Sequence, residues 1–186
     1  MPDARRAIGE HLELAGRLEE LLPRVDEVVR AVIGCYESGG RVFTLGNGGS
    51  AADSLHFAEE LVARFRRERR PLPAQSFAAD PTVLTCVGND FEFADVFARQ
   101  VRAFVRAGDV VVAFTTSGRS PNVVNALRAA REVGATTVLF GGGDGGGALE
   151  HADLALVVPA TSTARVQEMH VLLLHLVLDE VDEWAA

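Results

Sequence analysis

The sequence predicts an α/β protein, a three-layer sandwich in which a doubly wound parallel sheet of about five strands is covered by helices on both faces. From Arg41 onward, short apolar runs alternate with helical segments, which is the order of elements in parallel α/β sheets. Most runs are continuously apolar rather than alternating in polarity, as expected of strands buried on both faces. A chain of 186 residues, 48% of them apolar, can form one such domain around a sizeable core.

Five apolar runs are predicted as strands, and the segments between them as helices. The strands are expected at 42–45, 74–77, 110–114, 137–140 and 154–158. The helices are expected near 50–66, 81–87, 92–106, 121–133 and 161–183. The glycine-rich run at 141–147 is expected to form a loop after the fourth strand.

Residues 1–40 are predicted to form a helical pair ahead of the sheet at 41–186, within a single structural domain overall. Apolar residues at intervals of three and four predict an amphipathic helix whose apolar face carries Ile8, Leu12, Ala15, Leu18 and Leu22. Pro23 predicts a break, after which a second helix ends at Ser38-Gly39-Gly40. Because no strand is close in sequence, these helices must pack on the later residues or on a copy of themselves, which predicts a homo-oligomer.

The composition argues against several classes of function. Twenty-six acidic against 18 basic side chains give a net charge of −8, which opposes nucleic-acid binding. No apolar run approaches the roughly 20 residues that a membrane span requires, and the first six residues do not resemble an apolar signal core, so a cytoplasmic location is expected. Cys35 and Cys86 match no disulfide framework or metal motif, and both are expected to be small buried thiols.

Two loops that follow predicted strands are candidates for an anion site. They are Gly46-Asn47-Gly48-Gly49-Ser50 and the run from Thr115 to Asn122, which includes Thr116, Ser117 and Ser120. Open α/β sheets bind ligands at the carboxyl ends of their strands, where glycines, helix N–H groups and hydroxyls suit a phosphate or sugar phosphate. The alternative is that these are ordinary turns, with Ser120 capping the helix begun by Pro121. Neither loop has a P-loop lysine or a dinucleotide fingerprint, so a nucleotide is not expected.

Four side chains could bind a divalent metal ion such as zinc. His56 and Glu60 share one helix face, and Gln167 and His175 lie on the apolar C-terminal helix together with His170. The alternative is a surface ion pair and satisfied core histidines. Gln167 and His175 are eight residues apart, roughly 12 Å along a straight helix, so binding one ion requires side chains that lean together, a bend, or residues from two subunits.

Three further polar residues are candidates for substrate contact. Arg64 lies one turn after Glu60 and could reach the site, whereas the arginine cluster to which it belongs, residues 64–70, is expected to be a solvated helix end. Asn89 and Asp90 either close a helix or bind sugar hydroxyls.

The motifs together resemble those of the phosphoheptose isomerase family. The resemblance is carried by five segments in matching order and spacing, and it covers nearly the whole chain: Gly46–Asp53, His56–Leu61, Gly88-Asn89-Asp90, Thr116–Asn122 and Arg165–His170. It departs from the family pattern at Phe114-Thr115, at Arg119 and in the number of glycines at 141–147. These departures affect the shape of the phosphate pocket rather than the acid–base residues.

The resemblance implies a sugar isomerase (SIS) domain and a homotetramer with its sites near subunit interfaces, without nucleic-acid or membrane partners. It implies zinc, one per subunit, on His56, Glu60, Gln167 and His175. It implies phosphate binding by the positions Ser50, Thr115, Ser117 and Ser120. The remaining candidate substrate contacts are Asn47, Gly48, Gly49, Glu60, Arg64, Asn89, Asp90, Thr116 and Gln167.

The implied reaction interconverts D-sedoheptulose 7-phosphate and D-glycero-D-manno-heptose 7-phosphate through an enediol, the first step of nucleotide-activated heptose biosynthesis. Such an isomerisation needs a base for the carbon acid and an acid for the carbonyl oxygen, and Glu60 and His175 are the candidates. The rival interpretations are a non-catalytic SIS-domain protein, associated with a replication initiator or sensing a sugar phosphate, and an isomerase of another sugar phosphate.

Overall fold

The computed structural model describes residues 3–186 and contains a five-stranded sheet in which every pair of neighbouring strands is parallel. The strands are β1 (Val42–Gly46), β2 (Ala74–Ser76), β3 (Val110–Phe114), β4 (Thr136–Gly142) and β5 (Leu154–Val158), in the order β2-β1-β3-β4-β5. The helices are α1 (Ala4–Arg17), α2 (Leu22–Glu37), α3 (Gly49–Val62), α4 (Pro81–Asp90), α5 (Ala98–Phe104), α6 (Pro121–Val133) and α7 (Thr163–Ala185). The predicted α/β class and parallel sheet are confirmed.

Alternate side chains of the central strands enter two separate cores, as the period of two in a strand requires. In β3, Val110, Val112 and Phe114 face the core formed with α1, α2, α3 and α7. Val111 and Ala113 face the other core, to which α5 and α6 contribute. The sheet is therefore the middle of three layers, and both of its faces are buried.

The N-terminal helices pack on the sheet domain through part of the predicted apolar face. α1 and α2 are separated by a 3₁₀ turn at Leu18–Leu21, and α2 packs against α7 and β5. Leu14, Leu18 and Val25 are buried there, whereas Ile8 is 61% and Leu12 66% exposed. Of the two partners that the sequence left open, the later residues cover Leu18 but leave Ile8 and Leu12 uncovered.

Other boundaries differ locally. The helix predicted near 92–106 is divided into a 3₁₀ turn at Phe93–Asp95 and the short α5. The glycine-rich run begins inside β4 and ends in a 3₁₀ turn at Gly146–His151.

Cys35 is buried as expected, but Cys86 on α4 is exposed, so the prediction that Cys86 is buried was wrong. Within residues 3–186, no helix has both the length and the apolar character that crossing a bilayer would require.

Candidate active site

The sheet order brings the two candidate loops together at one edge of the sheet. β1 and β3 are neighbours, but α3, which follows β1, packs in one core and α6, which follows β3, packs in the other. The two loops therefore diverge from adjacent strand ends and leave a crevice, the usual ligand position in such sheets.

A cavity of about 220 Å³ lies in this crevice. Eight predicted site residues line it: Asn47, Gly49, Ser50, Thr115, Thr116, Ser117, Ser120 and Gln167. Phe114 and Thr163 also line it and were not predicted. Thr163 is the first residue of α7, and a helix start was visible in the sequence there, but nothing in the sequence placed it beside loops more than forty residues earlier.

Both loops are shaped for backbone approach to an anion. Gly48 precedes α3 with a φ of +56°, a left-handed conformation that favours glycine. In the second loop Thr115 Oγ1 accepts the N–H of Gly118, and Ser117 Oγ accepts the N–H of Arg119, so both hydroxyl protons remain able to donate to a ligand. Ser120 is the N-cap residue of α6 by position, as the alternative had it, but its side chain makes no capping hydrogen bond within the described residues.

Two asparagines join the loops directly. Asn47 Nδ2 donates to Asn122 Oδ1, and Asn122 Nδ2 donates to Asn47 Oδ1, both at 2.8 Å. This reciprocal amide pair uses one donor and one acceptor of each side chain and fixes the distance between the loops. The pairing of Asn122 was missed, because a contact between residues 75 positions apart leaves no local signal.

Farther along α3 and α7, three of the four predicted metal ligands come together. One ligand atom from each of His56, Glu60 and His175 lies within 4.8 Å of the other two. Nε2 of His56 is 3.3 Å from Oε1 of Glu60, and the rings of His56 and His175 meet edge to face with centroids 5.1 Å apart. Two imidazoles and a carboxylate at this spacing are a donor set that suits zinc.

The environment of His175 favours its neutral form. Partial burial lowers the pKa of His175, the neighbouring His56 lowers it further, and Glu60 acts in the opposite direction. Phe65 stacks on the imidazole with centroids 5.1 Å apart and planes inclined by 24°. A neutral, partly buried imidazole can both donate and accept a proton.

Gln167 extends from α7 to the cavity between the loops and lines part of it. It is eight residues before His175 on the uninterrupted helix α7. A Cβ added to Gly49 would overlap with its carboxamide, so the glycine permits α7 to approach the start of α3. Its role as a fourth metal ligand stays a prediction.

Between the cavity and the three metal-ligand candidates, α3 and α7 share a buried polar pair. His170 is fully buried, and its Nε2 donates to the carbonyl oxygen of Gly141 at 3.0 Å. Its Nδ1 lies 4.0 Å from Oδ2 of Asp53, and neither atom has a hydrogen-bond partner among the described residues. Burial lowers the pKa of His170 to about 4 and raises that of Asp53 to about 6, the latter against the effect of His56.

Five predicted substrate contacts do not line the cavity: Gly48, Glu60 and three exposed side chains, Arg64, Asn89 and Asp90. Asn89 and Asp90 are the last residues of α4, both exposed, and Asn89 Nδ2 donates to Asp90 Oδ1 at 2.7 Å. Arg64 is also exposed, just beyond the end of α3. None of the three lines the cavity between the loops.

Comparisons with known proteins agree with this arrangement. The family model of the SIS domain matches residues 10–142. The phosphoheptose isomerase of Geobacter sp. (strain M21) is 44% identical over 98% of this chain and 95% of its own. The structure of phosphoheptose isomerase GmhA from Neisseria gonorrhoeae is 36% identical with a TM-score of 0.91, covering 96% of both chains. A phosphoheptose isomerase structure from Francisella tularensis is 34% identical with a TM-score of 0.89, covering 96% of this chain and 94% of that one.

Replacing Asp53 by Asn should change how stability depends on pH. The folded pKa of Asp53, about 6, lies above the unfolded value, so the folded state holds the proton longer and the free energy of unfolding falls as pH rises from about 4 to 6. Asn cannot ionise, so the free energy of unfolding of Asp53→Asn, relative to that of wild type, should rise by about 1–3 kcal/mol between pH 4 and pH 7. Urea unfolding of chelator-treated protein at both pH values measures this. Asp26→Asn, at an exposed position, is the control. The prediction is contradicted if the free energy of unfolding differs between Asp53→Asn and wild type by the same amount at both pH values.

Proposed function

The chain belongs to the SIS-domain family and, within it, to the phosphoheptose isomerases, and from this membership we propose that it interconverts D-sedoheptulose 7-phosphate and D-glycero-D-manno-heptose 7-phosphate in heptose biosynthesis. It is an isomerase of sugar phosphates. The single observation that carries the mechanism is the cluster of His56, Glu60 and His175, two helical turns beyond a cavity formed by phosphate-type loops.

The two loops would hold the phosphate of the sugar. Free N–H groups at the starts of α3 and α6 and the hydroxyls of Ser50, Thr115, Ser117 and Ser120 surround the cavity, and such groups bind a dianion without a positively charged side chain. The rest of the proposed phosphate site would be formed by Asn47, Gly48, Gly49 and Thr116. We assign these residues to the substrate site.

The distance from the cavity to the metal-ligand candidates fits a long sugar. His56 follows Ser50 by six residues on α3, which is about 9 Å along the helix axis. An extended seven-carbon chain whose phosphate lies in the cavity would therefore place its carbonyl end near His56, at the start of the metal-ligand cluster. This match supports a heptose 7-phosphate as the substrate.

His56, Glu60 and His175 would hold one zinc ion per subunit, and we assign the fourth position to Gln167 from its place in the motif. The donor set fits, since nitrogen and oxygen ligand atoms lie within 4.8 Å of one another. When bound, the metal would polarise the sugar carbonyl and stabilise the charge of the enediolate.

The protons are moved by this chain's own side chains. Glu60 would remove the proton from C1 of the ketose and return it to C2, and its second carboxylate oxygen remains free for the metal. His175, whose pKa is lowered by partial burial, would donate a proton to the carbonyl oxygen and recover one from the neighbouring hydroxyl.

Arg64, Asn89 and Asp90 would contact the sugar from the open side of the site. All three are exposed, and we propose that a neighbouring subunit closes the site against them. The division into a helical pair at 1–40 for oligomerisation and a SIS domain at 41–186 is part of the same proposal. Because a sugar phosphate is charged and does not cross a membrane unaided, we place the reaction in the cytoplasm.

The alternative of a non-catalytic SIS-domain protein is not favoured. Curated phosphoheptose isomerases are 41–47% identical over most of the chain, and the metal-ligand candidates His56, Glu60 and His175, two of them the acid–base candidates, are present and adjacent.

We expect a homotetramer. Exposed Ile8, Leu12 and Leu22 give the N-terminal helices an apolar surface that the sheet domain does not cover, and such a surface favours self-association. Light scattering at micromolar concentration should give about 80 kDa, four times the chain mass of 19.9 kDa. A mass near that of the single chain would contradict the proposal.

Ser117→Ala should weaken substrate binding without unfolding the protein, because Ser117 is exposed and its hydroxyl proton is free. Loss of one charge-assisted hydrogen bond should cost about 1.5–3 kcal/mol of binding free energy, or roughly 10- to 150-fold in Kd. Calorimetric titration with sedoheptulose 7-phosphate measures it. Ser38→Ala, at the distant end of α2, is the matched control, and unchanged affinity in Ser117→Ala would remove the second loop from the phosphate site.

Glu60→Gln and His175→Gln should each lower kcat by roughly 10²- to 10⁴-fold, because each removes one proton-transfer group. The double variant should be little worse than the worse single one, since the two residues act as a unit. Turnover of a panel of ketose phosphates is followed by NMR, with zinc content measured in parallel. A Glu60→Gln enzyme that retains zinc and still exchanges the substrate's carbon-bound proton with D₂O at the wild-type rate would exclude Glu60 as the base. Wild-type protein without turnover of sedoheptulose 7-phosphate would overturn the proposed substrate.

A further inference from the structure

The arginine segment, residues 64–70, leaves α3 and attaches to α7, while Arg64, Arg66 and Arg70 remain exposed as predicted. α3 ends at Val62, and the chain then turns toward Asp182. One Asp182 carboxylate accepts the backbone N–H groups of Phe65, Arg66 and Arg67 at 3.4, 3.0 and 2.7 Å. These bonds outweigh the effect of burial and hold the pKa of Asp182 at about 2.

Arg69 completes this attachment. Its Nε donates to Asp182 Oδ1 at 2.7 Å, and both side chains are only 1% exposed. The remaining guanidinium N–H groups donate to the carbonyl oxygens of Glu60, Leu61 and Arg70. The buried ion pair therefore connects α7 to the last turn of α3, and that turn carries Glu60.

The same carboxylate fixes the aromatic neighbour of His175. Asp182 is seven residues after His175, on the same face of α7, and it holds the backbone of Phe65, whose ring stacks on the imidazole. The guanidinium of Arg66 lies 4.9 Å from the centroid of the Phe65 ring. Asp182 thus holds the backbone of Phe65, and the Phe65 ring contacts both the imidazole and a guanidinium.

We propose that Asp182 is a positioning residue for the isomerase site: with Arg69 it holds Glu60, and through Phe65 it orients His175. The inference rests on the proposed function for the roles of Glu60 and His175, but the contacts that carry it involve neither metal nor sugar. Removing one partner of a buried, fully hydrogen-bonded ion pair leaves the other charge unpaired, so Asp182→Asn releases Arg69 and with it the end of α3.

The test compares Asp182→Asn with Asp179→Asn. Asp179 is on the same helix and pairs with Arg66 and Arg67 at 3.2 and 3.1 Å, but it is 39% exposed. Zinc affinity is measured by competition with a chromogenic chelator, and kcat and KM are measured with sedoheptulose 7-phosphate. The ¹H–¹³C signal of His175 at Cε1, assigned with His175→Gln, is recorded in metal-free protein, where the Phe65 ring current shifts it upfield.

In Asp182→Asn we expect zinc affinity and kcat to fall about 10- to 100-fold, as for other residues that orient metal ligands, with KM within twofold because the phosphate loops are untouched. The His175 signal should move downfield. Asp179→Asn should match wild type in every measurement. An Asp182→Asn protein that is less stable but keeps the wild-type zinc affinity, kcat and His175 signal would overturn the inference.

Phe65→Leu keeps the test decisive if Asp182→Asn does not fold. It removes the stacked ring and leaves the ion pair in place, so zinc affinity should fall and the His175 signal should move as in Asp182→Asn. Unchanged values in Phe65→Leu would overturn the inference. If wild-type protein does not convert sedoheptulose 7-phosphate, the proposed function fails separately, because the His175 signal still reports on Asp182 and Phe65.

Discussion

Helices α3 and α7 pack side by side in the same direction, and the chemistry of the site depends on this contact. Gly49 meets Gln167, Asp53 faces His170, His56 meets His175, and the end of the helix is attached to Asp182. Residue numbers rise together on both helices, so the contacts form four successive levels. A shift of either helix by one turn would break all four at once. The absence of a side chain at Gly49 and the buried Arg69–Asp182 pair at the opposite end therefore hold the register of α3 against α7. This register brings two imidazoles and a carboxylate together.

The crevice between the two candidate loops depends on a second constraint, the reversal of winding direction between β1 and β3. Adjacent strands send their helices to opposite faces, which opens a crevice, and the Asn47–Asn122 amide pair then sets its width. Six residues with hydroxyl side chains line the cavity: Ser50, Thr115, Thr116, Ser117, Ser120 and Thr163. A net charge of −8 is compatible with the proposed phosphate site, because hydroxyls and helix N-termini bind an anion without lysines.

The sequence predicted the parts of this molecule that depend on local patterns. The bounds of β3, β5 and α6 follow directly from apolar runs and from Pro121 and Gly134 at the helix ends. The two loops and the i, i+4 pair of His56 and Glu60 were also visible. A metal site shared with His175 was one of two alternatives from the residues, and the family motif then implied it. Contacts between distant residues could not be predicted: Asn47 with Asn122, Phe65 with His175, and the attachment of the arginine segment to Asp182. Likewise, amphipathic spacing identified the N-terminal helix but does not say which partner covers each part of its apolar face: Leu18 is buried against the later residues, whereas Ile8 and Leu12 are exposed.

Helix geometry also separates the binding and reacting parts of the site by a fixed length. Ser50 and Thr163 lie at the starts of α3 and α7 and line the cavity, while His56, Glu60 and His175 lie two to three turns farther along the same helices. Each helix rises about 1.5 Å per residue whatever its sequence, so the separation does not depend on the conformation of a loop. Loop variation in this fold can therefore change the shape of the cavity without moving His56, Glu60 and His175. Conversely, the polar contacts Asp53–His170 and Arg69–Asp182 lie within and just beyond this span, where a change in helix packing would alter the distance between the cavity and these three residues.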